Sequence, residues 1–285
     1  MLAAGLGVAA VILLGVVFYL GSTLASPVHS AVGPTPAYPP ADVVSFASSS
    51  GSQLRAWFAR REEHAGGVVL LHGIRANRTT MLDRGRFLYG AGYSVLLVDL
   101  QAHGESTGDK ITFGYLEALD AQAAVGFLRR HLPGEPIAAL GSSLGGAACV
   151  LGPEPLDVDA LVLEAVYPDV RQAVRNRLRI RFGKLGAWLA PLLTLQLKPR
   201  LGIDLDDLRP VAKIAHARAP VLIIAGEQDE RTTLADSQQL FDAAPQPKEL
   251  WVVPGARHVN FHRHAPSEYE LRVLQFLQQY LRATG

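Results

Sequence analysis

One cysteine, Cys149, occurs in the 285 residues. A lone thiol excludes an intramolecular disulfide framework and any metal site built from several cysteines. Positive charge is not in excess: 27 Lys and Arg face 26 Asp and Glu, for a net charge of +1. That balance excludes a dedicated nucleic-acid binder, which concentrates basic charge. The chain has no glycine-rich phosphate loop and no internal repeat. The sharpest absence lies at the amino terminus, where no Asp, Glu, Lys or Arg precedes Asp42. What is present is ordinary for a globular chain: 49% hydrophobic residues, 19% charged, 27 Gly and 18 Pro. This composition excludes a wholly disordered chain, a collagen and a coiled-coil rod.

Within the charge-free stretch, Leu2 to Leu20 reads LAAGLGVAAVILLGVVFYL. As a helix it would extend about 28 Å, near the roughly 30 Å of a bilayer core. The sequence therefore predicts a transmembrane anchor over residues 1–25. A cleaved signal peptide is the alternative, but its apolar core is about 7–15 residues long and follows a basic segment. The run here is longer, no base precedes it, and Ser22 to Ser26 before Pro27 offers a cleavage site. An uncleaved segment predicts a single-pass membrane protein with its bulk on the non-cytoplasmic side; a cleaved one predicts a secreted protein. Residues 26–41 contain Pro34, Pro36, Pro39 and Pro40 and no acid or strong base. Such a stretch predicts a semi-stiff spacer, leaving residues 42–285 as one α/β domain.

Element order sets the fold class. Short alternating segments at Val43–Phe46 and Leu54–Phe58 flank a Ser-Gly turn, the pattern of a β-hairpin. Apolar runs follow at Val68–Leu71, Val95–Val98, Ile137–Leu140, Leu161–Leu163, Val221–Ala225 and Leu250–Val253. Runs of this kind suit strands buried on both faces of a parallel sheet. Helical patterns lie between them, around Thr79–Tyr89, Tyr115–His131, Leu144–Val150, Thr233–Ala243 and Glu268–Leu281. The alternation predicts βαβ units and a mainly parallel sheet with helices on both faces. It is interrupted at about residues 166–210, where an insertion reads as a helical cap. From Arg171 to Arg200 it carries Arg171, Arg175, Arg177, Arg179, Arg181, Lys184, Lys198 and Arg200 and no acid, beside Leu185, Trp188, Leu189 and Leu192. A solvated basic face explains this pattern; a lid that docks on anionic lipid headgroups is the sharper reading.

Gly141-Ser142-Ser143-Leu144-Gly145 fits G-x-S-x-G, directly after a strand and opening a helix. A tight strand-to-helix turn exposes a serine at the sheet edge, and the register makes Ser143 the candidate nucleophile. A serine needs a base held by a third group. His258 follows the Leu250–Val253 strand at the carboxyl end of the sheet, where α/β sites lie. His216 precedes its strand, and His262 and His264 come later, on or near the last helix. Asp229 follows the Val221–Ala225 strand and is the candidate acid. Glu227 is a competitor and Glu164 a fallback, whose plainer role is pairing with a cap arginine. The backbone N–H groups of Ile74, after His72-Gly73, and of Leu144 would form an oxyanion hole. His72 braces its loop, Asp99 to Ser106 forms a hydrogen-bonded structural loop, and Cys149 is a small buried helix residue.

With His72-Gly73, Asp99…His103-Gly104-Glu105-Ser106, Gly141 to Gly145, Gly226…Asp229 and Gly255…His258 in this order, residues 42–285 resemble the α/β-hydrolase superfamily. A looser similarity is to its membrane-anchored Bem46-like and ABHD-type branch. The resemblance implies an eight-stranded-type sheet with a cap insertion, a Ser143–His258–Asp229 triad, and hydrolysis of an ester, thioester or amide without metal or organic cofactor. The expected substrate is a small acyl or lipid-like molecule, with the membrane engaged by the N-terminal helix and the basic cap. A serine aminopeptidase-like amide hydrolase is the alternative within the enzyme class. A non-catalytic binding module on the same fold is the alternative outside it.

Overall fold

The computed structural model describes residues 2–62, 65–258 and 260–281, and the side chains of the first helix from Val11 onward, Leu13 excepted. Among the described residues ten strands run in chain order: β1 (Val28–His29), β2 (Asp42–Ala47), β3 (Gln53–Ala59), β4 (Gly67–Leu71), β5 (Ser94–Asp99), β6 (His103–Gly104), β7 (Ile137–Ser142), β8 (Ala160–Glu164), β9 (Val221–Gly226) and β10 (Lys248–Val253). Ten α-helices accompany them: α1 (Leu2–Ala25), α2 (Leu82–Gly90), α3 (Tyr115–His131), α4 (Leu144–Val150), α5 (Val170–Thr194), α6 (Leu197–Leu201), α7 (Pro210–Lys213), α8 (Leu234–Ala243), α9 (Phe261–His264) and α10 (Pro266–Tyr280).

Eight strands form one sheet in the order β10-β9-β8-β7-β4-β5-β3-β2. The β2–β3 and β3–β5 pairs are antiparallel, and the remaining pairs are parallel. This is the mostly parallel α/β-hydrolase sheet expected from the motif order. Central strands read as apolar runs because both faces are covered. In β4, Val69 and Leu71 pack in one core cluster with Ala121 and Leu128 of α3, Ala147 of α4 and Leu240 of α8. Its alternate residues Val68 and Leu70 pack in the other, with Leu88 of α2 and Val273 and Phe276 of α10. Six parallel strands, β10, β9, β8, β7, β4 and β5, thereby present their carboxyl ends along one edge, and the candidate site residues collect there.

The proline-bearing segment does not stand off as a spacer. β1 pairs in parallel with β6, Val28 N–H donates to Ala102 O at 2.7 Å, and Ser30 N–H donates to Gly104 O at 2.9 Å. Farther along, the Tyr38 ring meets Tyr89 edge-on at 5.6 Å between centroids, and Arg86 Nε donates to Tyr38 O at 3.3 Å. Residues 28–38 are thus a strap laid along the domain by main-chain bonds and one aromatic pair.

The expected N-terminal transmembrane helix is not found: among the described residues no helix is long and apolar enough to cross a membrane. The helix α1 does form, but the described part of its apolar face starts at Val11, short of the roughly 20 residues a span requires; the residues before it lie outside the described side chains. The carboxyl end of α1 docks on the cap. Arg200 Nη1 donates to Ser22 Oγ at 2.6 Å, its guanidinium lies 4.0 Å from the Phe18 ring centroid, and Gln196 Nε2 donates to Val17 O at 3.1 Å.

The insertion after β8 is helical, as its pattern predicts. α5 starts with the Asp169 side chain accepting from Arg171 N–H and is broken at Gly183, whose φ of 64° leaves the helical region. Pro191 lies farther along the same helix. The acid-free sequence from Arg171 to Arg200 finds its counter-charges in its flanks: Arg171 pairs with Asp169 and Asp206, and Lys198 with Asp204. Beyond the kink, Leu185 and Trp188 are 79% and 83% exposed.

Candidate active site

The strand β7 runs straight into Ser143, which caps α4 with φ 50° and ψ −106°. A serine in this left-handed region is strained and persists only where its surroundings impose it. The neighbouring glycines show what does. A Cβ on Gly141 would come within 2.5 Å of the Gly145 main chain, and one on Gly145 within 2.4 Å of Leu71 O. Only glycine lets β4, β7 and α4 approach this closely. Ser143 N–H donates to Glu164 O at 2.7 Å and Gly145 N–H to His72 O at 3.1 Å, which ties the turn to the ends of β8 and β4.

Asp229 follows β9 and His258 follows β10. His258 Nδ1 lies 2.7 Å from Asp229 Oδ2. The second carboxylate oxygen accepts from Arg231 N–H at 2.8 Å and Thr232 N–H at 2.9 Å. Asp229 is buried, so its carboxylate is held on three donors and aims one oxygen at the imidazole. That contact places the imidazole proton on Nδ1 and leaves Nε2 to face the cleft. Ser143, His258, Ile74 and Leu144 line one cleft of about 1010 Å³. A Cβ on Gly73 would lie 3.7 Å from Ser143 Cβ, so the loop that carries Ile74 passes against the serine. Among the described residues no hydrogen bond joins Ser143 to His258, an arrangement common before substrate binds, when such bonds are long and tighten on complex formation.

The loops that frame the serine are fixed by buried histidines. His72 Nε2 accepts from Leu100 N–H at 3.1 Å, and its Nδ1 bonds Gly73 O at 2.8 Å. Burial, with the nearby His103 ring adding to it, pushes the His72 imidazole down to about 3, so it is neutral. His103 Nε2 in turn accepts from Arg75 N–H at 3.1 Å, one residue past Ile74. The Asp99 loop is a network: Asp99 accepts from the Arg78 main chain at 2.7 Å and from Glu105 N–H at 2.9 Å, and pairs with the Arg78 guanidinium, which also holds Glu105. Burial pushes the Cys149 thiol up to about 12, and the residue sits inside α4.

Two sequence expectations shift in detail. Glu164 does pair with an arginine, but with Arg84 of α2 rather than one from the cap, at 2.8 and 2.6 Å, and Tyr269 OH donates to the same carboxylate. Its side chain is therefore committed below the serine turn. Glu227 accepts from Gly255 N–H at 2.8 Å and braces the loop that leads to His258. His216 lies before β9, away from the carboxyl ends. His262 bonds Glu270 at 2.8 Å and stacks on Phe87. Sequence reasoning did not single out Arg177, Arg231 or Tyr167, all of which line the cleft. Only the position of Arg231, two residues past Asp229, could have marked any of them.

Comparison with known proteins places this geometry among hydrolases. Residues 62–209 match the Hydrolase_4 family model, described as serine aminopeptidase, S33. The uncharacterized protein Rv2307c of Mycobacterium tuberculosis is 32% identical over 238 residues, 82% of this chain and 77% of that protein. The zebrafish (Danio rerio) lysophosphatidylserine lipase ABHD12 is 26% identical over 207 residues, 68% of this chain and 51% of its own length. Among solved structures, the Pyrococcus furiosus esterase Pf2001 superposes with a TM-score of 0.75 at 23% identity, over 90% of this chain and 99% of that one.

Proposed function

The chain belongs to the Hydrolase_4 (serine aminopeptidase, S33) family of the α/β-hydrolase superfamily, and from that premise we propose that it is a serine hydrolase of ester or thioester bonds in acyl or lipid-like substrates. The observation that carries this reading is the 2.7 Å Asp229–His258 contact beside a serine held at positive φ in the same cleft. In the proposed mechanism His258 Nε2 takes the Ser143 proton as Oγ attacks the carbonyl carbon. The N–H groups of Ile74 and Leu144 receive the oxyanion, and Asp229 orients and stabilises the imidazolium. His258 returns the proton to the leaving oxygen or sulfur. Water, deprotonated by the same imidazole, then releases the acyl group from Ser143.

Amide hydrolysis of the aminopeptidase type is the second reading, favoured by the family's description. An aminopeptidase must grip a substrate ammonium, for which a carboxylate is the natural partner. The described residues lining this cleft include six arginines and neither Asp nor Glu, which favours the ester reading. Membrane attachment through residues 1–25, with the domain on the non-cytoplasmic side, belongs to the same proposal. It is supported by the charge-free Leu2–Leu20 sequence and by exposed Val11, Ile12, Leu14, Phe18 and Tyr19 on α1. Sedimentation of the full chain with membranes after carbonate washing tests it, and recovery in the soluble fraction would refute it.

Labelling of the full-length protein with a fluorophosphonate tests the chemistry. The expected result is a covalent adduct on wild type that is lost in Ser143→Ala. An adduct that persists in the variant, or a folded wild type that does not react, would overturn the assignment.

A further inference from the structure

We propose that the cleft selects esters that carry a carboxylate or phosphate, and that Arg177, with Arg231 beside it, seats that anion. This inference rests on the hydrolase reading and adds a substrate class to it.

The starting point is an imbalance of charge. Arginines 75, 84, 177, 181, 231 and 263 line the cleft, and no lining residue among those described is Asp or Glu. Three of the six have work elsewhere. Arg84 holds Glu164 in a two-point pair, Arg263 donates to Asp83 at 2.6 Å, and Arg75 donates to Thr23 O at 3.1 Å. Arg177 differs. It projects from α5, is only partly exposed, and its one hydrogen bond among the described residues is to Ala173 O, 3.1 Å away in its own helix. Neither Arg177 nor Arg231 has a carboxylate within ion-pair distance among the described residues.

Both arginines line the cleft that holds Ser143 and His258, and their electrostatics agree with that placement. Burial pushes the Arg177 guanidinium down from its ordinary value, and the Arg231 charge pushes the same way, while Tyr167 and Asp229 pull it up. Arg177 is therefore close enough to both Arg231 and the candidate acid to feel their charges. Asp229 makes no ion pair with it among the described residues: one of its oxygens accepts from the Arg231 and Thr232 N–H groups and the other meets His258. Two like charges beside a half-dry cleft are unfavourable until an anion lies between them. A guanidinium presents two parallel N–H donors that match a carboxylate or phosphate. The cleft, at about 1010 Å³, has room for an acyl chain against Val174 and Ile180 as well as for the charged group.

The test compares matched esters on the full-length protein at neutral pH. In one pair, p-nitrophenyl hydrogen glutarate carries a carboxylate on the acyl side and p-nitrophenyl butyrate does not. In the other, 1-oleoylglycerol 3-phosphate carries a phosphate on the alcohol side and 1-oleoylglycerol does not. The readout is the ratio of kcat/KM for the charged ester to that for the neutral one. Arg177→Gln is expected to lower this ratio at least about tenfold, mainly through KM, for one pair. Arg177→Lys is expected to recover part of the loss, and exposed Arg231→Gln to reproduce a smaller one. The affected pair tells which side of the scissile bond bears the anion. A ratio unchanged in Arg177→Gln for both pairs overturns the proposal. Calorimetric titration of Ser143→Ala with monomethyl glutarate and with inorganic phosphate separates the two readings. Binding that disappears in the Ser143→Ala, Arg177→Gln double variant upholds the anion seat even if wild type hydrolyses none of the esters. Absence of binding together with absence of discrimination refutes it.

Discussion

The main-chain N–H of Ser143 donates to the carbonyl oxygen of Glu164 at 2.7 Å. The strained serine turn therefore hangs from the end of β8. The Glu164 side chain is itself fixed by Arg84 and Tyr269 in a fully buried cluster. An ion pair that looks remote from the cleft thus sits one peptide away from the backbone of the candidate nucleophile.

Glu164→Gln is expected to destabilise the fold by about 3 kcal/mol, because it strands the Arg84 charge in the interior. Urea denaturation of the two proteins measures this. Coincident midpoints would show that the cluster does not brace β8.

Asp229→Asn is expected to cut kcat at least about a hundredfold while the protein stays folded. The amide no longer fixes the imidazole proton on Nδ1 or stabilises the imidazolium. Steady-state turnover of p-nitrophenyl butyrate is the measurement. Retention of full activity would remove Asp229 from the triad, and Glu227 would then be the residue to replace.

Gly145→Ala adds a methyl group 2.4 Å from Leu71 O. The helix α4 has to shift to admit it, and the Leu144 N–H moves with it. A loss of at least about tenfold in kcat/KM is expected, as when an oxyanion donor is misplaced, together with a lower melting temperature. Wild-type kinetics in this variant would contradict the tight apposition of β4 and α4.

The stability of the fold in acid should carry the signature of His72. The unfolded chain protonates this residue near 6.5, whereas in the folded protein it stays neutral down to about 3. Between those values the unfolded state binds the extra proton. The contribution is complete above 6.5 and is lost as pH falls through that window, at about 1.4 kcal/mol per pH unit. Denaturation midpoints of wild type and His72→Gln, followed from neutral pH downward, should converge. A pH-independent gap between them would refute the buried neutral state.

The strap makes a prediction about truncation. Removal of residues 1–25 leaves β1 on β6. Removal of residues 1–41 strips β1 and Tyr38 from the domain and bares Tyr89. The longer deletion is expected to lower the melting temperature by several degrees more than the shorter one, as read by differential scanning calorimetry.

Much of this architecture was legible because both faces of the sheet are covered. The apolar runs at Val68–Leu71, Val95–Val98 and Ile137–Leu140 all fall within observed strands, since a doubly buried strand has no polar alternation to confuse the reading. The order of Ser143, Asp229 and His258 along the chain was equally visible, each just past a strand. Other features left no such trace. The strap is held by main-chain bonds from Val28 and Ser30, and no side-chain pattern announces those. Glu164 meets Arg84 from 80 positions away in sequence, a distance over which spacing carries no information. Among the many bases of α5, spacing does not tell which one turns inward, because Arg175, Arg177, Arg179 and Arg181 recur at every second residue and so point to several sides of the helix. Arg177 therefore read as one more solvated charge.

The docking of α1 on Arg200 and Gln196, together with the strap laid along β6, leaves little slack between the N-terminal helix and the domain. Leu24, near the end of that helix, forms part of the cleft wall. The domain is consequently bolted rather than leashed: anything that fixed α1 would also fix the heading of the cleft and deny it free tumbling. For a molecule held in that way, encounter with substrate would depend on which way the opening faces as much as on how fast anything diffuses.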